Sequence, residues 1–262
     1  MSNEYNWLRQ LNLFFVAMGF FTRLPIPAWV RADDNELKKS SRYFGLVGLL
    51  IGFICALVYW FTQQWLPTSV AVLLAMVAGL LVTGGFHEDG LADTADGFLG
   101  GKTIEDKLRI MKDDHLGSYG AMVLALALLL RWQLLVELAL FSPWAAITGF
   151  VVAHTLSRVL ASSLIFSVKY VTDLELAEGK RLSHDQSLND LFILLASGIF
   201  VLFWLNGLAA FVLFISLWAL RFCLCKYFRS QIGGYTGDTL DAAQQVSEIM
   251  CYLVILAVGL SA

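Results

Sequence analysis

The chain has 262 residues, 58% hydrophobic and only 15% charged, with a formal net charge of −3. Soluble domains carry about 25% charged residues, so this balance excludes an ordinary soluble domain. The small net charge and the lack of a basic or aromatic-interleaved patch exclude a nucleic-acid partner.

From the N-terminus, the first apolar stretch runs over residues 8–22 and is stopped by Pro25 and Pro27. It is too short to cross a bilayer comfortably and is expected to lie in the interface or re-enter. Its acidic start and lack of a small-x-small cleavage site argue against a removed signal peptide. Apolar runs then predict spans at 44–66, 69–86, 119–141, 144–167, 189–205, 207–223 and 240–260. Asn206-Gly207 is the natural fold-back point in a run too long for one helix. The expectation is an all-α, polytopic membrane bundle of about seven spans plus the N-terminal helix, forming a single domain over 1–262. No internal repeat interrupts it. Cys55, Cys223, Cys225 and Cys251 form no C-x-x-C pair and read as reduced thiols.

The loops orient the bundle. Segments 23–43, 87–118, 168–188 and 224–239 carry most of the Lys and Arg residues, among them Arg42, Lys102, Lys180 and Arg181. The alternate connections near Pro67, Pro143 and Asn206 carry none. Positive loops stay in the cytoplasm, so every long polar segment is expected there.

The stretch TGGFHEDGLADTADG (83–97) ends a span with His87 and four carboxylates, Glu88, Asp89, Asp93 and Asp96. Each acid in the bilayer centre would cost roughly 2.5–3.5 kcal/mol. They should therefore sit at the interface, be neutralised, or both. Asp89, Asp93 and Asp96, at i, i+4 and i+7, share one helical face, where like charges repel. Such a face suits a hard divalent cation, and oxygen ligands with retained water suit Mg²⁺. Mg²⁺ in turn points to phosphate chemistry. A solvated acidic rim is the alternative. Gly90 and Gly97 favour bends and weaken the helical-face argument.

Further along, Arg109 and Lys112 could clamp a diphosphate, or merely anchor the interface. GGYTGDTLDAA (233–243) offers either a phosphate-binding turn at a helix N-terminus or a capping box of Asp238 and Asp241. Arg131 lies mid-span and reads as a functional or inter-helix pairing residue. Arg158, with His154 at i−4, is the better substrate-cavity residue. His115 and His184 read as surface residues, which leaves His87 for proton transfer.

The block TGGFHEDGLADTADG closely resembles the signature of the cobalamin synthases, the adenosylcobinamide-GDP ribazoletransferases of bacterial inner membranes. FFTRLPIP (20–27), RIMKDDHLGSYG (109–120), Ser157-Arg158 and GGYTGDTLDAA extend the likeness, in order, over essentially the whole chain. Glu88 stands where an apolar residue such as Leu is expected. The resemblance implies that a ribose hydroxyl of α-ribazole, or of its 5′-phosphate, attacks adenosylcobinamide-GDP with loss of GMP. It implies Mg²⁺ held by Asp89, Asp93 and Asp96, catalysis by these acids and His87, and an active site facing the cytoplasm of the inner membrane. Substrate contacts are expected from Arg23, Arg109, Lys112, Arg158, Gly233, Gly234, Thr236 and Asp238. Lipid is the remaining expected partner, and self-association stays open. Two other classes share parts of this pattern. A CDP-alcohol phosphotransferase shares the D-x-x-D-G start at Asp93, Asp96 and Gly97 but lacks the Ala-Arg that should follow. A cation-coupled transporter would place its acids nearer the midplane.

Overall fold

The computed structural model describes residues 7–171 and 187–259. Lys180, Arg181 and His184 lie outside them. Among the described residues the chain is helical throughout, as expected, with one isolated bridge between Tyr170 and Tyr235. The helices are α1 (Trp7–Phe21), α2 (Asp34–Ser40), α3 (Phe44–Thr62), α4 (Thr68–Thr83), α5 (Phe86–Gly100), α6 (Ile104–Met111), α7 (Ser118–Phe141), α8 (Pro143–Leu164), α9 (Leu188–Leu202), α10 (Gly207–Ile232) and α11 (Gly237–Gly259).

Among the described residues, length and composition do not reach seven spans. Five helical stretches qualify: Glu36–Thr62, which takes in the end of α2 and all of α3, together with α7, α8, α10 and α11. The 15 residues of α9 reach about 23 Å, short of a core about 30 Å thick. The 16 residues of α4 stop at Thr83, and the next helix leaves at an angle of 87°. The pair α4–α5 is thus bent at a corner rather than one straight span, and α5 alone does not qualify. The α1 helix also has 15 residues and ends before the two prolines, as its length and sequence predict.

The bundle is built around α8, which is 83% buried over its most apolar window. Small residues on α3 let the two backbones meet. A Cβ on Gly48 would stand 2.2 Å from the His154 carbonyl, and one on Gly52 would stand 2.7 Å from the Val151 Cα. Close approach of this kind holds helices together where lipid removes the hydrophobic drive between them. The outer faces are apolar and open, with Leu81 70%, Leu126 66% and Trp218 64% exposed, as lipid contact requires. At one end of the bundle, buried Arg42 pairs with Asp190 of α9 at 2.6 Å. The same end gathers α5, α6, the start of α11 and the 3-10 turn at Ser41–Tyr43.

Candidate active site

The site begins at a corner. Gly84 and Gly85 both adopt left-handed backbone (φ 79° and 74°), which caps α4 and redirects the chain. Only glycine takes this conformation without cost. The Gly84 position is also full, because a Cβ there would stand 2.2 Å from Nε of Arg23, whose own backbone N–H donates to Val82 O. Arg23 therefore packs over the corner.

Beyond it, α5 runs antiparallel to both α7 and α11. Asp96 meets the start of α7 while Glu88 meets Arg131 farther along it. Gly90 and Gly97 do not bend this helix. They let it pack: a Cβ on Gly90 would strike the Asp241 Cβ at 2.6 Å, and one on Gly97 the Met111 Cγ at 2.4 Å. Short and polar, α5 turns away from α4 and packs along the first half of α7.

The four carboxylates divide two and two. Asp89 is exposed and Asp93 half-buried, and neither makes a side-chain hydrogen bond or ion pair among the described residues. Asp96 is buried, and its two oxygens accept from the backbone N–H groups of Gly117 and Gly120 at 2.8 Å each. It anchors the positive N-terminal end of α7, a favoured place for a carboxylate. Glu88 is also buried, and accepts from Arg131 at 3.2 Å and from Gln245 Nε2 at 3.1 Å. Asp89 and Asp93 are thus left open, while Glu88 is neutralised by Arg131 and Asp96 is held by backbone N–H groups.

Burial and then the charges of Asp89, Asp238, Asp96 and Asp114 push the Asp93 carboxyl up to about 7. This is an anionic concentration with too little cationic compensation. Among the described residues, no three His, Cys, Asp or Glu side chains stand close enough to hold a metal unaided. Mg²⁺ nevertheless often takes only one or two carboxylates, with water and substrate phosphates completing its shell. Asp89 and Asp93, unengaged and too negative, fit that role. Asp96, with both oxygens already bonded, fits it less well.

His87 was expected at the interface but is only 3% exposed. Its Nδ1 lies 2.5 Å from Asp241 Oδ1, and its Nε2 is buried without a partner. Burial, reinforced by the Arg158 guanidinium, holds the imidazole well below its ordinary value, so it is neutral. Beneath it a polar network fills the bundle. Arg131 Nη1 reaches Glu88 and Glu248, at 3.4 Å for the latter, while Glu248 accepts from Gln244 at 2.7 Å and Tyr252 at 3.2 Å. Arg158 Nη1 donates to the His154 carbonyl at 3.0 Å. Two arginines thus face two glutamates, and inter-helix pairing accounts for Arg131. Glu137 instead accepts from Gln133 on the exposed face of α7.

The expected phosphate clamp is not assembled as such. Arg109 is exposed and pairs with Asp106 one turn back at 3.1 Å. Lys112 is exposed, within electrostatic reach of Asp238 and Tyr170. Gly233 is the left-handed cap of α10 (φ 79°), and Gly234 is a packing residue, since its Cβ would stand 2.2 Å from Lys169 O. The capping box exists, but between Thr236 and Thr239. The Thr236 N–H donates to Thr239 Oγ1 at 2.9 Å and the Thr239 N–H to Thr236 Oγ1 at 3.3 Å. Asp238 and Asp241 are not its members: Asp238 accepts from Thr236 Oγ1 at 3.4 Å within electrostatic reach of Asp93, and Asp241 meets His87.

Residues 13–256 match the profile of the Cobalamin-5-phosphate synthase family. The chain belongs to that family. It is 95% identical over 262 residues to a protein of Shewanella denitrificans (strain OS217) named adenosylcobinamide-GDP ribazoletransferase, with all of both chains covered. A protein of the same name from Shewanella frigidimarina (strain NCIMB 400) is 72% identical over 261 residues, again covering 100% of each. One from Shewanella oneidensis is 60% identical over 259 residues, 99% of each chain. No solved structure matches.

For this member of the cobalamin-5-phosphate synthase family, the sequence suggested only a capping role for Asp241 and none for Gln244, Gln245 and Glu248. Their spacing of i, i+3, i+4 and i+7 along an otherwise apolar helix was a readable signal of one polar face turned inward. The pairing of that face with His87 and Glu88, more than 150 residues away in chain, was not readable.

Proposed function

We propose that this membrane protein is an adenosylcobinamide-GDP ribazoletransferase, joining adenosylcobinamide-GDP to α-ribazole or its 5′-phosphate with release of GMP. The family and its identically named relatives support the reaction. The observation that carries the site is the pairing of two unengaged carboxylates on α5, Asp89 and Asp93, with a buried neutral His87 two residues before the first. Asp89 and Asp93 would hold Mg²⁺, which when bound neutralises phosphoryl oxygens. The rest of the work falls to side chains. His87, oriented through Nδ1 by Asp241, presents Nε2 to take the proton of the attacking ribose hydroxyl. The hydroxyl oxygen bonds to the cobinamide-side phosphorus as the bond to the GMP oxygen breaks. Exposed Arg109 and Lys112 would meet the incoming diphosphate, and the basic end of the bundle would face the cytoplasm of the inner membrane.

The test is to supply membranes containing the protein with adenosylcobinamide-GDP, α-ribazole and Mg²⁺. A complete corrinoid and GMP should form in equal amounts. GMP release without a joined corrinoid would sink the assignment.

A further inference from the structure

A cavity of about 70 Å³ lies between the aromatic corner and α8. One water needs roughly 10–15 Å³, so this space holds several waters or one flat bicyclic ring. Phe20, Phe21, Phe44 and Phe86 form its apolar wall, with the Phe21 and Phe44 rings 3.9 Å apart and Phe20 and Phe86 6.1 Å apart. Five polar residues also line it, and three of them have a buried atom with no partner: Ser162 Oγ, Arg158 Nε and His87 Nε2. These residues are 1%, 4% and 3% exposed. Leaving such groups unpaired is costly, and all three residues border this aromatic-walled space.

We infer that this cavity binds the heteroaromatic base of the nucleoside acceptor. The inference rests on the proposed reaction and deepens it. Phenylalanine walls favour a flat ring through edge and offset-stacked contacts. The benzimidazole ring of ribazole has a single ring nitrogen free to accept a hydrogen bond. Ser162 O–H and Arg158 Nε–H are both donors suited to it. Guanine, the other base among the substrates, carries several donors and acceptors along its edge. The remaining polar lining is already engaged, Asp241 with His87 and Gln244 with Ser157 and Glu248, so that edge would find too few partners. His87 borders the same cavity, so a base seated there keeps its ribose beside the proton acceptor.

The test uses purified full-length protein in lipid, with two readouts: equilibrium dialysis of α-ribazole, and KM for each substrate. Ser162→Ala removes one oxygen that bonds to nothing in the protein, so the fold should tolerate it. Phe86→Ala alters a wall residue that is 44% exposed and not essential to the core. Each should weaken ribazole binding and raise its KM roughly three- to tenfold, with KM for adenosylcobinamide-GDP unchanged. Unaltered ribazole binding in both variants overturns the inference, and so does a rise confined to the GDP-activated substrate. A wild type that binds ribazole through Ser162 yet forms no corrinoid leaves the pocket standing and removes the reaction instead.

Discussion

At Asp96 a carboxylate of the signature block serves the backbone of another helix. Its oxygens take the N–H groups of Gly117 and Gly120. Asp96→Asn would turn an amide N–H₂ toward one of those donors, so about 1–3 kcal/mol of stability should be lost. Thermal denaturation in lipid reads this directly, and an unchanged transition with lost turnover would instead assign Asp96 to the chemistry. Asp93 behaves differently. Its carboxyl is raised to about 7, chiefly by burial, so without metal its proton favours the folded state. That contribution is full at acid pH and is lost as pH rises through about 7. A bound cation must displace the same proton. Apparent Mg²⁺ affinity should therefore be weak at pH 6 and strengthen toward pH 8, then level off. A Mg²⁺ titration of turnover that is flat across this range would remove Asp93 from the metal site.

At the scale of the element, the corner before α5 decides where the carboxylates go. Gly85→Ala meets only the strain of a left-handed residue, about 1–2 kcal/mol, because its Cβ would find open space. Gly84→Ala meets that strain and also the Arg23 side chain. Gly84→Ala should therefore be the more damaging in thermal stability, and equal transitions would show that the Arg23 contact is dispensable. The apolar runs made α3, α7, α8, α10 and α11 legible from sequence, since nothing but lipid tolerates so many uncharged residues. The break at Gly84-Gly85 was not, because two glycines permit a turn without requiring one. For the same reason Gly90 and Gly97 looked like bends, although they are contact points for Asp241 and Met111. The capping box went to Thr236 and Thr239 rather than Asp238 and Asp241 because both pairs fit the i, i+3 spacing. Only the tertiary partner of Asp241, His87, distinguishes them.

Across the described residues, the basic loops and the site residues share one end of the bundle, while the connections at 63–67, Ser142 and 203–206 carry no Lys or Arg. Single cysteines at positions 35, 103 and 230, in an otherwise cysteine-free protein, should react with impermeant reagent only from the cytoplasm. Labelling of any one from the periplasm would break the common site apart. The central claim is that Asp89 and Asp93, rather than the whole acidic block, hold the cation on which turnover depends. It is tested by measuring corrinoid formation against Mg²⁺ concentration for the wild type, Asp89→Asn, Asp93→Asn and Asp96→Asn in one lipid. The account predicts that Asp89→Asn and Asp93→Asn require at least tenfold more Mg²⁺, whereas folded Asp96→Asn keeps the wild-type Mg²⁺ midpoint. Wild-type midpoints in both Asp89→Asn and Asp93→Asn would contradict it and reduce these acids to a solvated rim.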